Sequence, residues 1–159
     1  MGKKNLKAFM RESAKTETTV TAPGPDTILG EDGKPEMLEI KVLSSSTIQH
    51  INDMYTSRTM ATDKKGVPYI QGGEVAFKTT VDTKKATGHI LAEALVYPDL
   101  KDPELMKFFG CHDISEMASK VFPRTDEFAH VNRAVMAALG IGREPDNGQS
   151  EKDINEAKN

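Results

Sequence analysis

This 159-residue sequence lacks several features, and their absence excludes several classes of protein. It has a single cysteine, Cys111, so no disulfide can form within the chain, which favours a reducing cytosol. No stretch approaches the ~20 consecutive apolar residues that a membrane-spanning helix needs. The charged N-terminus is not followed by the apolar core of a signal peptide. We therefore expect a cytosolic protein with no membrane partner.

The sequence also lacks an excess of positive charge. The net charge is −3 and the sequence pI is about 5.8. Residues 83–140 carry seven Lys or Arg against eight Asp or Glu. A helix that reads DNA needs cations facing the phosphates, and the last predicted helix offers only Arg133 as a strong cation. A helix-turn-helix reader is therefore disfavoured, and no nucleic-acid partner is expected.

Residues that carry catalysis or hold metals do not form a recognisable motif. The four histidines show no metal-ligand spacing, and no phosphate-loop motif surrounds Gly72-Gly73. Cys111-His112-Asp113 is the nearest approach to a cluster, but adjacent residues point in different directions. We interpret it as a junction between helices, with Asp113 as a cap and Cys111 as a small buried residue. We expect no enzyme, no cofactor and no metal site.

Four successive helical patterns fill residues 82–140. Each has apolar residues on one side at helical spacing and a residue that starts or stops it. Aspartate starts a helix because its carboxylate accepts free amide protons, and proline stops one because it disfavours helical backbone before it. The first predicted helix covers residues 83–97 and ends before Pro98, and the second begins at Asp102-Pro103 and ends at Gly110. The third is capped by Asp113 and buries Met117 and Val121. The fourth is capped by Thr125 and ends at Gly140.

The first half of the chain mixes strand and helix signals. Leu38, Ile40 and Val42 alternate with charged residues, so residues 37–43 predict a half-buried strand that pairs antiparallel with an upstream segment. Residues 47–59 predict a helix, with Ser46 and Gln49 as a capping box. Residues 63–73 read as a loop. Residues 75–77 fit either a short strand or the lead into the next helix.

These elements predict an α+β fold that is predominantly α-helical. A small N-terminal β-ribbon would pack on a C-terminal cluster of four or five short helices, because an isolated hairpin is only marginally stable. Residues 1–15 would form a short helix or arm, and residues 16–142 a single domain. Residues 143–159 are polar except for Ile154, so a disordered tail is expected there.

The aromatic residues point to a candidate binding surface. Neighbouring helical positions lie about 100° apart, so Phe108 and Phe109 are hard to bury together on a short helix. In one interpretation both are core residues; in the other, one is exposed beside Tyr97 and anchors a partner helix. Asp99, Asp102 and Glu104 would then form an acidic rim, although turn formation and capping also explain them. The candidate partner-binding residues are Tyr97, Asp99, Leu100, Phe108 and Phe109.

The order of these motifs resembles the XkdN-like family of tail assembly chaperones, which phages and prophages with long contractile tails encode. The resemblance spans about residues 5–142, apart from residues 66–81, and its most specific piece is Tyr97-Pro98-Asp99-Leu100-Lys101-Asp102. The other segments that carry it are Leu6-Lys7-Ala8-Phe9-Met10, Asp32-Gly33-Lys34-Pro35, Phe108-Phe109-Gly110, Phe122-Pro123 and Leu139-Gly140-Ile141.

The resemblance implies a non-enzymatic protein that works in the bacterial host cytoplasm. Such a chaperone coats the long helical tape measure protein until the tail tube polymerises around it, and it is absent from the finished tail. The implied partners are the tape measure protein, a longer frameshifted form of the same chain, the tail tube protein and further copies of the chain. A structural tail or baseplate component is the main alternative, and a DNA-binding regulator is a weaker one.

Overall fold

The structure is a computed structural model that describes residues 6–10 and 18–142. Its small antiparallel sheet near the N-terminus and its five helices confirm the predicted, mainly helical α+β fold. Of the predicted N-terminal helix, the described part contains one exposed 3₁₀ turn at Leu6–Phe9. The predicted tail at residues 143–159 lies outside the described residues.

Seven strands and five helices follow one another in the continuous described segment. The N-terminal half holds β1 (Thr19–Pro23), β2 (Met37–Lys41), α1 (Ser45–Met54), β3 (Thr56–Met60), β4 (Ile70–Gln71), β5 (Glu74–Val75) and β6 (Phe77–Val81). The C-terminal half holds α2 (Thr83–Ala94), β7 (Leu95–Tyr97), α3 (Pro103–Phe109), α4 (Ile114–Val121) and α5 (Thr125–Ala138).

A three-stranded antiparallel sheet has the order β1-β2-β7. The pairing of β1 with β2 confirms the predicted ribbon, but the prediction that the helix runs over residues 83–97 is wrong at its end. The helix stops at Ala94, and its last three predicted residues form β7 instead. The register places Leu95 opposite Ile40, so the backbone of this segment pairs with β2 while Leu95 stays buried.

The core lies where this sheet meets the helices. The alternation in β2 turns Leu38 and Ile40 inward and leaves Glu39 exposed. These side chains join one cluster with apolar residues of the helices and of the β7–α3 connection. Fully buried members of the cluster include Leu91, Leu100, Met117, Val131 and Val135. Cys111 also lies in this cluster, which confirms its interpretation as a small buried residue.

Helices α2 and α4 approach each other closely at a glycine. A Cβ atom added at Gly88 would overlap the backbone carbonyl oxygen of Ser115. Backbone atoms cannot move aside as a flexible side chain can, so the contact requires a residue without a side chain. The glycine within α2 is therefore a packing requirement despite its poor helix propensity.

Helix caps follow the sequence signals at some ends and not at others. Asp102 accepts from two amide groups at the start of α3, and Gly110 ends that helix in the left-handed region. Asp113 caps α4 as predicted. Two predicted caps are wrong: Ser44, not Ser46, caps α1, and Arg124 takes the cap position of α5 without a side-chain hydrogen bond, with Thr125 as the first helical residue.

A long β-hairpin, residues 56–81, replaces part of a predicted helix and a predicted loop. Strand β3 pairs antiparallel with β6 over five residue pairs, from Thr56 opposite Val81 to Met60 opposite Phe77. The helix predicted over residues 47–59 ends at Met54, because the β-prone residues after it pair with β6. Of the two alternatives for residues 75–77, a strand or the lead into the next helix, the strand is confirmed: Val75 ends β5 and Phe77 begins β6. No residue of this hairpin is buried.

Candidate functional site

An open groove of about 420 Å³ lies between the end of β7 and the exposed side of α3. The turn after β7 forms one wall, and the first two turns of α3 form the other. The Tyr97–Pro98 peptide bond in this turn is cis. The groove is lined by Tyr97, Pro98, Asp99, Asp102, Glu104, Leu105 and Phe108. We call it the aromatic groove.

Phe108 lies at the surface, whereas Phe109 packs against the core. Phe108 is 80% exposed, whereas Phe109 is partly buried and packs against the core cluster. Their rings meet edge to face, with centroids 5.0 Å apart. Because α3 has only seven residues and a single inward side, one ring of the pair must face solvent. This confirms the interpretation in which one of the two phenylalanines is exposed.

Tyr97 forms the other aromatic side of the groove and is 47% exposed. Its hydroxyl donates a hydrogen bond to Oε1 of Glu36 at 3.0 Å. That bond, together with the negative charge of the carboxylate, raises the pKa of Tyr97 above its usual value. The hydrogen bond holds the ring on the exposed side of the sheet, where the register places Tyr97 opposite Glu39.

Leu100 does not belong to this surface. It is fully buried in the core cluster, so its side chain is not available to a partner. The prediction that Leu100 belongs to the partner-binding surface is therefore wrong. The turn from Pro98 to Lys101 directs the apolar residue inward while Asp99 stays exposed.

Acidic side chains line the groove around the aromatic rings. Asp99 holds the turn through a hydrogen bond from the Lys101 amide, and Asp102 holds the start of α3. The same carboxylates that shape the backbone therefore also give the groove its negative charge. Glu104 lines the groove as well, and Glu36 reaches it through Tyr97. Two interpretations of these residues, as caps and as an acidic rim, are thus compatible.

Two polar contacts elsewhere in the described residues hold elements of the fold together. The Tyr55 hydroxyl lies 2.8 Å from Nδ1 of buried His89, joining the end of α1 to α2. Asp113 accepts from the hydroxyl and the amide of Ser115, and these bonds lower the pKa of its carboxyl group. Across residues 6–10 and 18–142, no three His, Cys, Asp or Glu side chains are grouped to hold a metal ion. None of the described helices is long and apolar enough to cross a membrane.

The long hairpin is a second exposed surface, which the sequence analysis missed. Its outer part, residues 62–75, carries several large exposed apolar side chains, with Ile70 the most exposed at 69%. Nearer the base, the Arg58 guanidinium lies 4.2 Å from the centroid of the Phe77 ring. The signal available in the sequence was the threonine-containing, β-prone composition of residues 56–60 and 77–81, with Gly72-Gly73 between them.

Comparisons with known proteins show one family, by a family model, and one fold, by a solved structure. A family model described as phage XkdN-like tail assembly chaperone protein matches residues 6–158. The crystal structure of the protein yqbn is similar to this chain with a TM-score of 0.63 and 17% sequence identity. The match covers 87% of this chain and 98% of that chain, and at this identity it shows the shared fold alone. No curated protein matches the sequence.

Proposed function

The chain belongs to the XkdN-like family of phage tail assembly chaperones, and we propose that it binds the tape measure protein during tail assembly and is absent from the finished tail. In this proposal it acts in the bacterial host cytoplasm, without catalysis, until tail tube subunits polymerise around the tape measure protein. A longer frameshifted form of the chain would take part in the same complex.

The exposed phenylalanine in the aromatic groove is the observation that carries this proposal. Phe108 contributes a large apolar surface that the core does not use, and Tyr97 faces it across the groove. A tape measure helix with an apolar stripe fits an open groove of this kind, because anchor side chains spaced along one helix face can enter it in turn. The acidic residues around the rings would favour a stripe flanked by Lys or Arg.

The modest size of the groove suits a chaperone that must later be displaced. An open site with one or two aromatic anchors gives weak binding and fast release. Many copies on one long tape measure protein would still hold it, since linked weak contacts add up to high avidity. Subunits of the tail tube could then remove the copies one at a time.

Co-expression with the tape measure protein from the same tail gene cluster tests the proposal. We expect the tape measure protein to become soluble and to co-purify with several copies of this chain. Phe108→Ser should reduce the recovered complex, whereas Met54→Ser, which changes an exposed apolar residue (55%) on α1, should not. A tape measure protein that stays insoluble, even with the longer frameshifted form supplied, would remove the main support for the proposal.

The alternative role, a structural component retained in the tail, predicts a different location. Mass spectrometry of purified particles distinguishes the two roles. A chaperone should be missing from mature tails, while a tail or baseplate component should be present in a fixed ratio to the tube protein. Detection at such a ratio would favour the structural role.

A further inference from the structure

We propose that copies of this chain dock head to tail, with the tip of the long hairpin of one copy (residues 62–75) seated in the aromatic groove of the next. The contact needs no other protein. It can therefore be tested without the tape measure protein, although the hairpin tip and a tape measure helix would compete for the same groove.

The hairpin tip has the chemistry of an occupant of that groove. Val67, Tyr69 and Ile70 are 55%, 56% and 69% exposed and follow one another closely at the tip. The turn before them is held by Asp63, whose carboxylate accepts from the amides of Lys65 and Val67. A tip fixed in this way can enter a groove without losing much conformational freedom, which favours binding.

Charge is distributed unevenly between the hairpin and the body of the protein, which is residues 18–55 and 82–142. Residues 56–81 carry four Lys or Arg and two Asp or Glu, so the hairpin is basic. Residues 18–55 and 82–142 together carry nine Lys or Arg and fifteen Asp or Glu, so the body is acidic. At the tip, Lys64 and Lys65 lie in the turn that leads into the apolar residues, and in the groove acidic side chains line the same surface as the aromatic rings. The two surfaces are therefore complementary in both charge and polarity.

In the described structure the hairpin does not occupy the groove of its own copy, so the contact we propose is intermolecular. The hairpin leaves the body at the start of α2, where the Asp82 amide donates to the Tyr55 carbonyl oxygen. The groove begins after β7, which follows the other end of α2. The twelve residues of α2 span about 18 Å. The groove of each copy is lined by its own β7–α3 region, without hairpin residues, and is open to a neighbour.

Contact between two different surfaces of one molecule leaves a free hairpin at one end of a dimer and a free groove at the other. Such head-to-tail association continues into chains unless its rotation closes a ring. Chains of this kind would cover the exposed aromatic rings while no tape measure protein is present. A tape measure helix would then have to displace the hairpin tip from each groove.

Cross-linking of two single-site variants tests the pairing of surfaces. Gln71→Cys places a thiol at the hairpin tip and Glu104→Cys places one at the groove, and the wild type, whose Cys111 is buried, serves as the control. With a short bis-maleimide, the mixture of the two variants should give a dimer in higher yield than either variant alone. A dimer from Gln71→Cys alone would show tip-to-tip contact and overturn the proposal, as would the absence of any dimer in the mixture.

A charge exchange followed by sedimentation velocity tests the attraction itself. Asp99→Lys with Glu104→Lys makes the groove basic, and Lys64→Glu with Lys65→Glu makes the tip acidic. Each double variant alone should associate at least about tenfold more weakly than the wild type, because like charges then meet. Mixing the two should restore association, since every tip then finds a groove of opposite charge in the other variant.

Glu116→Lys reverses an exposed charge on α4 and should leave association unchanged. The proposal would be overturned if the wild type stayed monomeric at the highest concentration reached. It would also be overturned if the mixture of the two double variants associated no more strongly than either variant alone. Both experiments contain this chain alone, so their failure would leave the tape measure proposal standing.

Discussion

The body of this protein and its long hairpin are built in opposite ways. The body holds sixteen buried apolar side chains in the sheet and helices, several of them fully buried. The hairpin at residues 56–81 buries none, and both of its long strands are exposed along their whole length. Burial of apolar surface is the main source of folding free energy, so the stability of the chain must come from the body.

We interpret the exposed apolar residues of the hairpin and of the aromatic groove as binding surfaces. A two-stranded ribbon without a packed face is only marginally stable by itself. Its exposed side chains, like Phe108 in the groove, contribute nothing to the described core. Substitutions in the body should therefore affect stability, and substitutions in the hairpin should affect association.

Leu100→Ala should produce the largest loss of stability. The side chain is fully buried, and its removal leaves a cavity as well as lost burial, a combination that costs about 2–5 kcal/mol. Urea unfolding measures the loss. The same substitution at Leu29, which is 57% exposed, should change stability by less than about 0.5 kcal/mol. Equal effects at the two positions would contradict the placement of Leu100 in the core.

Gly88→Ala should destabilise the protein through overpacking. The added methyl group would overlap the Ser115 carbonyl oxygen and force α2 and α4 apart, at a cost of about 1–3 kcal/mol. Thr87→Ala, on the same helix, is the matched control and should have little effect. Thermal unfolding of both variants gives the comparison. A stabilised Gly88→Ala would mean that helix propensity outweighs the close contact.

Asp113→Ala should cost about 1 kcal/mol at neutral pH, because α4 loses its capping carboxylate. The pKa of Asp113 is lowered in the folded state, first by the hydrogen bond from the Ser115 hydroxyl. The stabilisation is therefore fully present above the ordinary pKa of 3.8 and is lost as the pH falls through the lower folded value.

Thermal unfolding between neutral and strongly acidic pH measures this dependence as the difference between wild type and variant. Asp113→Asn keeps an acceptor for the cap but does not titrate, so it should lose less stability than the alanine variant at neutral pH. A difference between wild type and Asp113→Ala that stays constant below pH 3.8 would contradict the capping role.

Tyr69→Ser in the hairpin should have the smallest effect on stability, within about 0.5 kcal/mol, because the side chain is 56% exposed and outside the core cluster. The same variant should weaken self-association, since it removes an apolar group from the tip. Urea unfolding and sedimentation velocity on one preparation separate the two effects. A large loss of stability without a change in association would reverse the assignment of the hairpin.

Local signals in the sequence predicted much of the body. The alternation at Leu38 and Ile40 gave β2 and its buried face, and Asp102-Pro103 with Gly110 gave both ends of α3. The exposure of one phenylalanine followed from helix geometry alone. These features depend on neighbouring residues in the chain, which is why they could be read without the structure.

Features that depend on distant residues were not predictable in the same way. Leu95 continues a helical apolar pattern, and only its pairing with Ile40 of β2 turns it into a strand. Leu100 lies among polar turn residues, and its burial follows from the packing of α2, α4 and the sheet. The hairpin forms by the pairing of two segments about twenty residues apart. Each segment is too short to predict a strand from its own sequence.

Removal of the hairpin tests the contrast between the two regions most directly. The Tyr55 carbonyl oxygen and the Asp82 amide are hydrogen-bonded at 3.0 Å, so a short Gly-Ser turn can replace residues 56–81. Thermal unfolding and sedimentation velocity of this shortened chain form one paired measurement against the full chain. We expect an unfolding temperature close to that of the full chain and a protein that no longer self-associates. A shortened chain that fails to fold, or that associates as before, would contradict this expectation.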